Sequence, residues 1–131
     1  MGFSPTLQGR AAHEALIARQ DAEIRLLENI KRCLANKVKC DKEYASALSS
    51  VATQGQKLEK CEELSESVVL GAWRQLCAEW ESRARRLRRG AEALETRALE
   101  RLGALGAERR RARKAAQEDA SRVAQHFTQV G

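Results

Sequence analysis

Residues 23–50 read EIRLLENIKRCLANKVKCDKEYASALSS and contain no glycine or proline. Apolar side chains recur in this stretch in steps of three, four or seven residues, which places them along one side of a helix. A helix with a narrow apolar stripe and a charged back cannot bury that stripe alone, so it must pair with other helices. The stripe consists of Ile24, Leu27, Leu34, Val38, Ala45 and Leu48.

The composition of the whole chain favours one all-α domain. Charged residues make up 32% of the 131 residues, aromatic residues make up 4%, and there is one proline. So few aromatic side chains suit narrow helix seams better than a rounded core, and we predict long helices in a coiled-coil assembly. The longest apolar run, VVLGAW at 68–73, is far shorter than the about 20 residues that span a bilayer. We therefore expect an intracellular chain that is soluble or peripheral to a membrane.

Helix signals divide the chain into segments. Residues 1–10 contain two glycines and the proline, and are predicted to be a flexible tail. The first helix is predicted to run from about Ala11 to Val51. A polar stretch follows, in which Ser65 or Ser67 is a candidate cap for the second helix.

The second helix continues the apolar spacing through Trp73, Leu76 and Trp80. Packing of the two tryptophans against the first helix is the favoured interpretation, while membrane insertion or nucleotide stacking is the alternative. Gly103 and Gly106 predict a bend or short break, because glycine weakens a helix interior. The predicted seam and dimer contacts combine Trp73, Leu76 and Trp80 of the second helix with five residues of the first stripe. These five are Ile24, Leu27, Leu34, Val38 and Leu48.

The chain shows no signal for catalysis or metal binding. The four cysteines form no C-x-x-C pair, and the two histidines are far from them in sequence. Paired carboxylates, a Ser-His-Asp arrangement and a phosphate-binding glycine loop are missing from the sequence pattern. We therefore predict a non-enzymatic protein without a metal site or cofactor.

Basic residues concentrate in two clusters, although the formal net charge is only +6. A row of guanidinium groups on one helix face can contact several lipid phosphates and gains about 1 kcal/mol per charge near an anionic leaflet. The alternative is a solvated face with partners four residues away, such as Glu81 with Arg85 and Glu118 with Lys114. The clusters are Arg83, Arg85, Arg86, Arg88 and Arg89, and Arg109, Arg110, Arg111, Arg113 and Lys114.

Residues 22–45, AEIRLLENIKRCLANKVKCDKEYA, together with the opening MGF, resemble the start of an F-BAR domain of the Fes/Fer tyrosine-kinase group. Later features follow in a similar order: Trp73 in GAWRQL, then GAEALETRALERL at 90–102, then ERRRARK at 108–114. The resemblance implies that residues 11–131 are a partial F-BAR domain of long antiparallel helices, comprising the FCH region and the start of the coiled coil.

The same resemblance implies a function. In that family, basic residues matching Arg113 and Lys114 contact phosphoinositide-rich membrane, and two subunits dimerise into a curved rod that links membrane curvature to the cytoskeleton or to signalling. We therefore expect an anionic phospholipid membrane and a second F-BAR chain, in a homodimer or with a relative, as partners. The candidate lipid contacts are Arg109, Arg110, Arg111, Arg113 and Lys114, with Lys37, Lys39 and Lys42 as a second group.

Two other functions compete with membrane binding. The chain could be a coiled-coil interaction element that pairs with another F-BAR protein without binding lipid. Nucleic-acid binding through the basic segments is disfavoured, because almost no aromatic residues lie among the arginines and no recognition module is evident.

Overall fold

The computed structural model describes the backbone of residues 5–58 and 61–130, and the side chains of residues 8–58 and 61–126. As predicted, these residues form an all-α structure. Its elements are helix α1 at Pro5–Gln56, a short 3₁₀ helix at Glu62–Leu64, helix α2 at Val68–Leu94, a π-helical turn at Glu95–Leu99 and helix α3 at Glu100–Val130.

Helix α1 is longer at both ends than the sequence predicts. It spans Pro5–Gln56, so residues 5–10 are helical rather than part of a tail, and residues 1–4 lie outside the described residues. Proline is well tolerated at the first helical position, where its missing N–H has no partner to lose. Gly9 costs about 1 kcal/mol relative to alanine in a helix, which a helix of this length tolerates.

Ser67, one of the two predicted caps, begins helix α2. Its backbone is extended, and its side-chain oxygen accepts a hydrogen bond from the backbone N–H of Leu70 at 3.2 Å. This bond satisfies one of the N–H groups that have no partner inside the helix.

The predicted break at Gly103 and Gly106 is wrong, because α3 runs without interruption through both glycines. The irregularity lies earlier, in the π-helical turn at Glu95–Leu99. A π-turn accommodates one extra residue within an otherwise helical run. The local penalty for each glycine is about 1 kcal/mol, which packing against a neighbouring helix can offset.

Contacts divide the chain into two units, and Cys33–Leu99 forms one of them. Its contacts run in opposite directions along α1 and α2: Ser49 bonds Glu81, and Lys42 bonds Glu95. The helices are therefore antiparallel. The buried hydrophobic residues recur every seven positions on each helix, and are Val38, Ala45 and Ala52 on α1, with Cys77, Ala84 and Ala91 on α2.

Small side chains dominate this seam, so the two helix backbones can approach closely. Gly55 marks such an approach, since a Cβ atom there would lie 2.6 Å from Sγ of Cys77 and 3.0 Å from Cζ2 of Trp73. The coiled-coil seam that the seven-residue spacing predicts is therefore built mainly from alanine.

The other unit combines α1 up to Arg32 with α3. Its contacts also run in opposite directions: Asp21 pairs with Arg113, and a Cβ atom at Gly103 would lie 3.6 Å from Nζ of Lys31. In this part of α1, Ile17, Ile24 and Leu27 are half-buried, whereas Leu16, Leu26 and Ile30 are exposed. Ion pairs between α1 and α3 thus accompany half-buried apolar residues in this unit.

Candidate functional site

Part of the α3 basic cluster faces carboxylates on α1 in the same unit. The cluster consists of Arg109, Arg110, Arg111, Arg113 and Lys114. Nε of Arg113 donates to Oδ1 of Asp21 at 2.9 Å, and Arg110 donates to Oε1 of Glu28. A nitrogen of Arg109 lies 3.7 Å from a carboxylate oxygen of Glu23. Three of the five cations therefore already have anionic partners.

The Asp21–Arg113 pair is the most sheltered of these contacts. The Arg113 side chain is 28% exposed, and it also donates to the side-chain oxygen of Gln117. The hydrogen bond from Arg113 holds the pKa of Asp21 below its usual range, and the positive charges of Arg113 and Arg25 act in the same direction. Arg113 is therefore a positioning element between α1 and α3 as well as a cation.

Arg111 and Lys114 differ from the other three members of the cluster. Both are exposed, and neither forms a hydrogen bond or ion pair within the described part of the chain. The predicted partner of Lys114, Glu118, is not in ion-pair contact with it. These two side chains are therefore available to an external anion without loss of an internal contact.

The second candidate group lies on α1 in the other unit, and all three of its lysines have acidic partners. Nζ of Lys37 lies 2.7 Å from both carboxylate oxygens of Asp41. The other two pairs are Lys42 with Glu95 at 2.8 Å, and Lys39 with Glu43 at 4.0 Å. Six of the eight cations predicted to contact lipid are thus within ion-pair distance of a carboxylate.

The two tryptophans pack against each other within the unit formed by Cys33–Leu99. Their ring centroids are 5.7 Å apart and the ring planes are 87° apart, which is an edge-to-face arrangement. Nε1 of Trp73 donates to the backbone carbonyl of Gly55 at 2.9 Å, so Trp73 joins α2 to the end of α1. Both rings are half-buried.

The predicted seam residues differ in burial. Val38 is buried and Leu76 is 39% exposed. The other members are half-buried, and are Ile24, Leu27, Leu34, Leu48, Trp73 and Trp80.

A second apolar stripe on α1 was missed by the sequence reasoning. Leu16, Ile30, Tyr44 and Val51 are separated by multiples of seven residues and are between 38% and 54% exposed, and the intervening positions of this register are Glu23 and Lys37. Leu16 and Ile30 lie in one contact unit, and Tyr44 and Val51 lie in the other. They occupy a different side of α1 from Val38, Ala45 and Ala52, since the two sets differ by one position in the seven-residue register. The seven-residue spacing of these side chains can be read from the sequence. It was not identified because the first stripe was sufficient to predict helix pairing.

The sequence of these helices matches a known protein family. Residues 12–88 match the model described as Fes/CIP4, and EFC/F-BAR homology domain, abbreviated FCH. The chain belongs to this F-BAR homology family. The match covers α1 from its second turn onwards, the connecting segment and most of α2, so the resemblance read from residues 22–45 is confirmed.

Two groups of curated relatives are similar to this FCH chain. Tyrosine-protein kinase Fer of Homo sapiens is 36% identical over 102 residues, covering 78% of this chain and 12% of Fer. The tyrosine-protein kinase transforming protein Fps of Fujinami sarcoma virus is 32% identical over 131 residues, covering 97% of this chain and 15% of Fps. The chain therefore spans less than a sixth of the length of these kinases, and the family match is to their FCH region. No solved structure matches the chain.

The F-BAR homology family is a family of lipid-binding and membrane-curvature domains. Within the described helices, no stretch combines the length and the apolarity that a bilayer-spanning segment requires.

Proposed function

We propose that this chain is a non-enzymatic F-BAR module that binds anionic phospholipids at the membrane surface and dimerises through apolar helix faces. The observation that carries this proposal is the match of residues 12–88 to the F-BAR homology family. In the cell, the module would be cytoplasmic and peripheral to the plasma membrane or endomembranes, and would link membrane curvature to the cytoskeleton or to signalling. Phosphoinositides are the most highly charged candidate lipids.

The proposed binding mechanism is electrostatic. Each basic side chain near an anionic leaflet contributes about 1 kcal/mol, and salt screens this attraction. Arg111 and Lys114 contact lipid phosphate directly. Arg109 and Arg110 exchange a carboxylate partner for a phosphate, which is feasible because exposed ion pairs contribute only about 0–1 kcal/mol.

Dimerisation is supported by the second stripe of α1, formed by Leu16, Ile30, Tyr44 and Val51. Apolar side chains in a seven-residue register pack efficiently only against another helix. A second F-BAR chain supplies such a helix in this proposal. We expect the purified chain to sediment as a dimer, and Ile30→Glu combined with Val51→Glu to yield a monomer in analytical ultracentrifugation.

Co-sedimentation with vesicles tests the lipid-binding part of the proposal. The vesicles consist of phosphatidylcholine alone or with phosphatidylserine or phosphatidylinositol bisphosphate, at low and high salt. Arg111→Glu combined with Lys114→Glu is the informative variant, because these side chains make no described internal contact. Charge reversal at Arg110 or Arg113 would instead place carboxylates against Glu28 or Asp21 and disturb the α1–α3 interface.

The matched control is Arg19→Glu combined with Arg32→Glu, which gives the same net charge at exposed positions of α1. The proposal predicts that the wild-type chain binds vesicles with anionic lipid, that salt weakens binding, and that the α3 variant binds less than the control. A helical wild-type chain that stays in the supernatant with all three lipid mixtures would contradict it.

A coiled-coil interaction element is the second candidate function. The pairing of six predicted lipid cations with carboxylates, together with the exposed stripe on α1, favours it. In that case the chain pairs with another F-BAR protein and does not bind lipid. Mixing it with the F-BAR region of Fer should then give a mixed complex in ultracentrifugation, while vesicles retain none of the chain.

A further inference from the structure

The arginines of α2 differ from those of α3 in their surroundings. Residues 82–91 read SRARRLRRGA, with five arginines and no acidic residue. Arg83, Arg86 and Arg89, here called the α2 arginine row, are exposed and follow one another at intervals of three residues. Residues three apart are neighbours on a helix surface, so the row forms one positively charged strip.

Within the described part of the chain, no carboxylate forms an ion pair with this strip. Among the described contacts, Arg86 donates to the hydroxyl of Ser82 at 3.3 Å, and Arg83 and Arg89 have no hydrogen bond or ion pair. Arg85, beside the row, lies 3.9 Å from Glu81, whose carboxylate already accepts from Ser49 at 2.9 Å.

Three further carboxylates border the row without an ion pair to it among the described residues. One of them, Glu92, lies three residues beyond Arg89 on α2. Asp41 lines a groove with Arg83 and Arg86, but both of its oxygens accept from Lys37. Glu79 lies in an adjoining groove and forms no ion pair within the described residues. Among the described contacts, none of the three arginines of the α2 row is therefore ion-paired, whereas three of the five cations of the α3 basic cluster are.

Apolar side chains accompany the row. A shallow groove is lined by Leu76, Glu79, Trp80, Ser82, Arg83 and Arg86. Leu76 is 39% exposed and Trp80 is half-buried, so both offer apolar surface beside the guanidinium groups. Tryptophan is enriched at the membrane–water boundary, where an apolar body and a polar tip are both satisfied, and arginine stems cover apolar surface while the heads stay wet.

We propose that the α2 arginine row, with Leu76 and Trp80 beside it, is a second contact surface for an anionic bilayer. This inference rests on the proposed membrane function and assigns it to residues outside the α3 basic cluster. The arginines contact lipid phosphates and carboxylates, and the indole of Trp80 enters the interfacial layer. A nucleic acid could also bind the arginines through its phosphates. It would not explain why Leu76 and Trp80 lie in the same groove.

Flotation of the full 131-residue chain with phosphatidylcholine–phosphatidylserine vesicles tests the proposal. The variant is Arg83→Gln with Arg86→Gln and Arg89→Gln, and the charge-matched control is Arg10→Gln with Arg19→Gln and Arg32→Gln. Each arginine near the surface accounts for about a fivefold change in partitioning, so the row variant should bind on the order of a hundredfold more weakly. The control should bind far better than the row variant.

Two further measurements test whether the variants fold and whether Trp80 enters the membrane. Replacement of the row by lysine keeps the charges, so this variant should bind nearly as well as the wild type and have the same circular dichroism spectrum. Trp73→Phe leaves Trp80 as the sole tryptophan, and brominated lipids should quench its emission when anionic vesicles are added.

The outcomes separate the two proposals. If the wild type binds and the row variant binds equally well, the α2 surface is not a membrane contact, while the proposed function stands. If the wild type does not bind at all, both fail. If the row variant keeps vesicle binding but loses binding to duplex DNA, the row is a nucleic-acid surface and the inference is overturned.

Discussion

Asp21 and Arg113 join α1 to α3 through a hydrogen bond of 2.9 Å between Nε and Oδ1. This contact lowers the pKa of Asp21. A carboxylate with a lowered pKa stabilises the fold above its unfolded pKa of about 3.9, and that contribution is lost as the pH falls through the folded-state pKa.

We therefore predict that Arg113→Gln raises the pKa of Asp21 towards the unfolded value. The carboxyl carbon of Asp21, followed by NMR, should titrate at a higher pH in the variant than in the wild type. The stability difference between the two proteins should shrink as the pH falls below about 4. Equal titration midpoints in both proteins would show that the contact is not maintained in solution.

Gly55 is the residue for which packing requires the absence of a side chain. A Cβ atom there would come within 2.6 Å of Sγ of Cys77. We predict that Gly55→Ala destabilises the chain by about 1–3 kcal/mol, because Cys77 and Trp73 have to move. Urea unfolding followed by circular dichroism measures this loss.

Gly90→Ala is the matched control, because a Cβ atom at Gly90 meets nothing within 4 Å. The same substitution should there stabilise the helix by about 0.5–1 kcal/mol. If both substitutions stabilise the chain, α1 and α2 do not approach closely at Gly55.

At the scale of elements, the buried side chains between α1 and α2 are mainly alanine, and their small size allows the two helices to pack closely. Ala84 is fully buried, whereas Ala93 on the same helix is exposed. Ala84→Leu should therefore destabilise the chain by about 1–3 kcal/mol or more through overpacking, while Ala93→Leu should change stability by less than about 0.5 kcal/mol. Thermal unfolding of both variants tests this expectation, and equal effects would contradict the alanine seam.

The sequence predicted some elements better than others. The first stripe and the Ser67 cap depend on spacing and local hydrogen bonding, which the residues themselves determine. The break at Gly103 was wrong, because local propensity does not include packing between helices. The π-helical turn at Glu95–Leu99 has no signal of this kind in the sequence.

The candidate site was predictable only as a set of cations. The arginine spacing identified the α3 basic cluster, but the carboxylates that face it lie more than 80 residues away in sequence, as Glu28 does from Arg110. Sequence spacing along one helix cannot reveal such partners. For this reason, all members of the cluster look equivalent in the sequence. In the structure, Arg111 and Lys114 differ because they have no ion pair among the described residues, whereas the other three do.

At the scale of the whole molecule, internal carboxylates compete with external anions for the same arginines. Glu28→Gln removes the partner of Arg110 and should increase binding to phosphatidylserine vesicles by up to about fivefold. Glu62→Gln, an exposed residue in the connecting segment, makes the same change in net charge and serves as the control. An increase for Glu62→Gln as large as that for Glu28→Gln would indicate that net charge, rather than release of Arg110, controls binding.

The most direct test of the account is flotation of the unmodified chain with vesicles of phosphatidylcholine alone and of phosphatidylcholine with phosphatidylserine, each over a range of salt concentrations. The account predicts that the helical chain floats only with the anionic vesicles and that the bound fraction falls as salt increases. A helical chain that floats with neither vesicle, or equally with both at every salt concentration, would contradict electrostatic membrane binding.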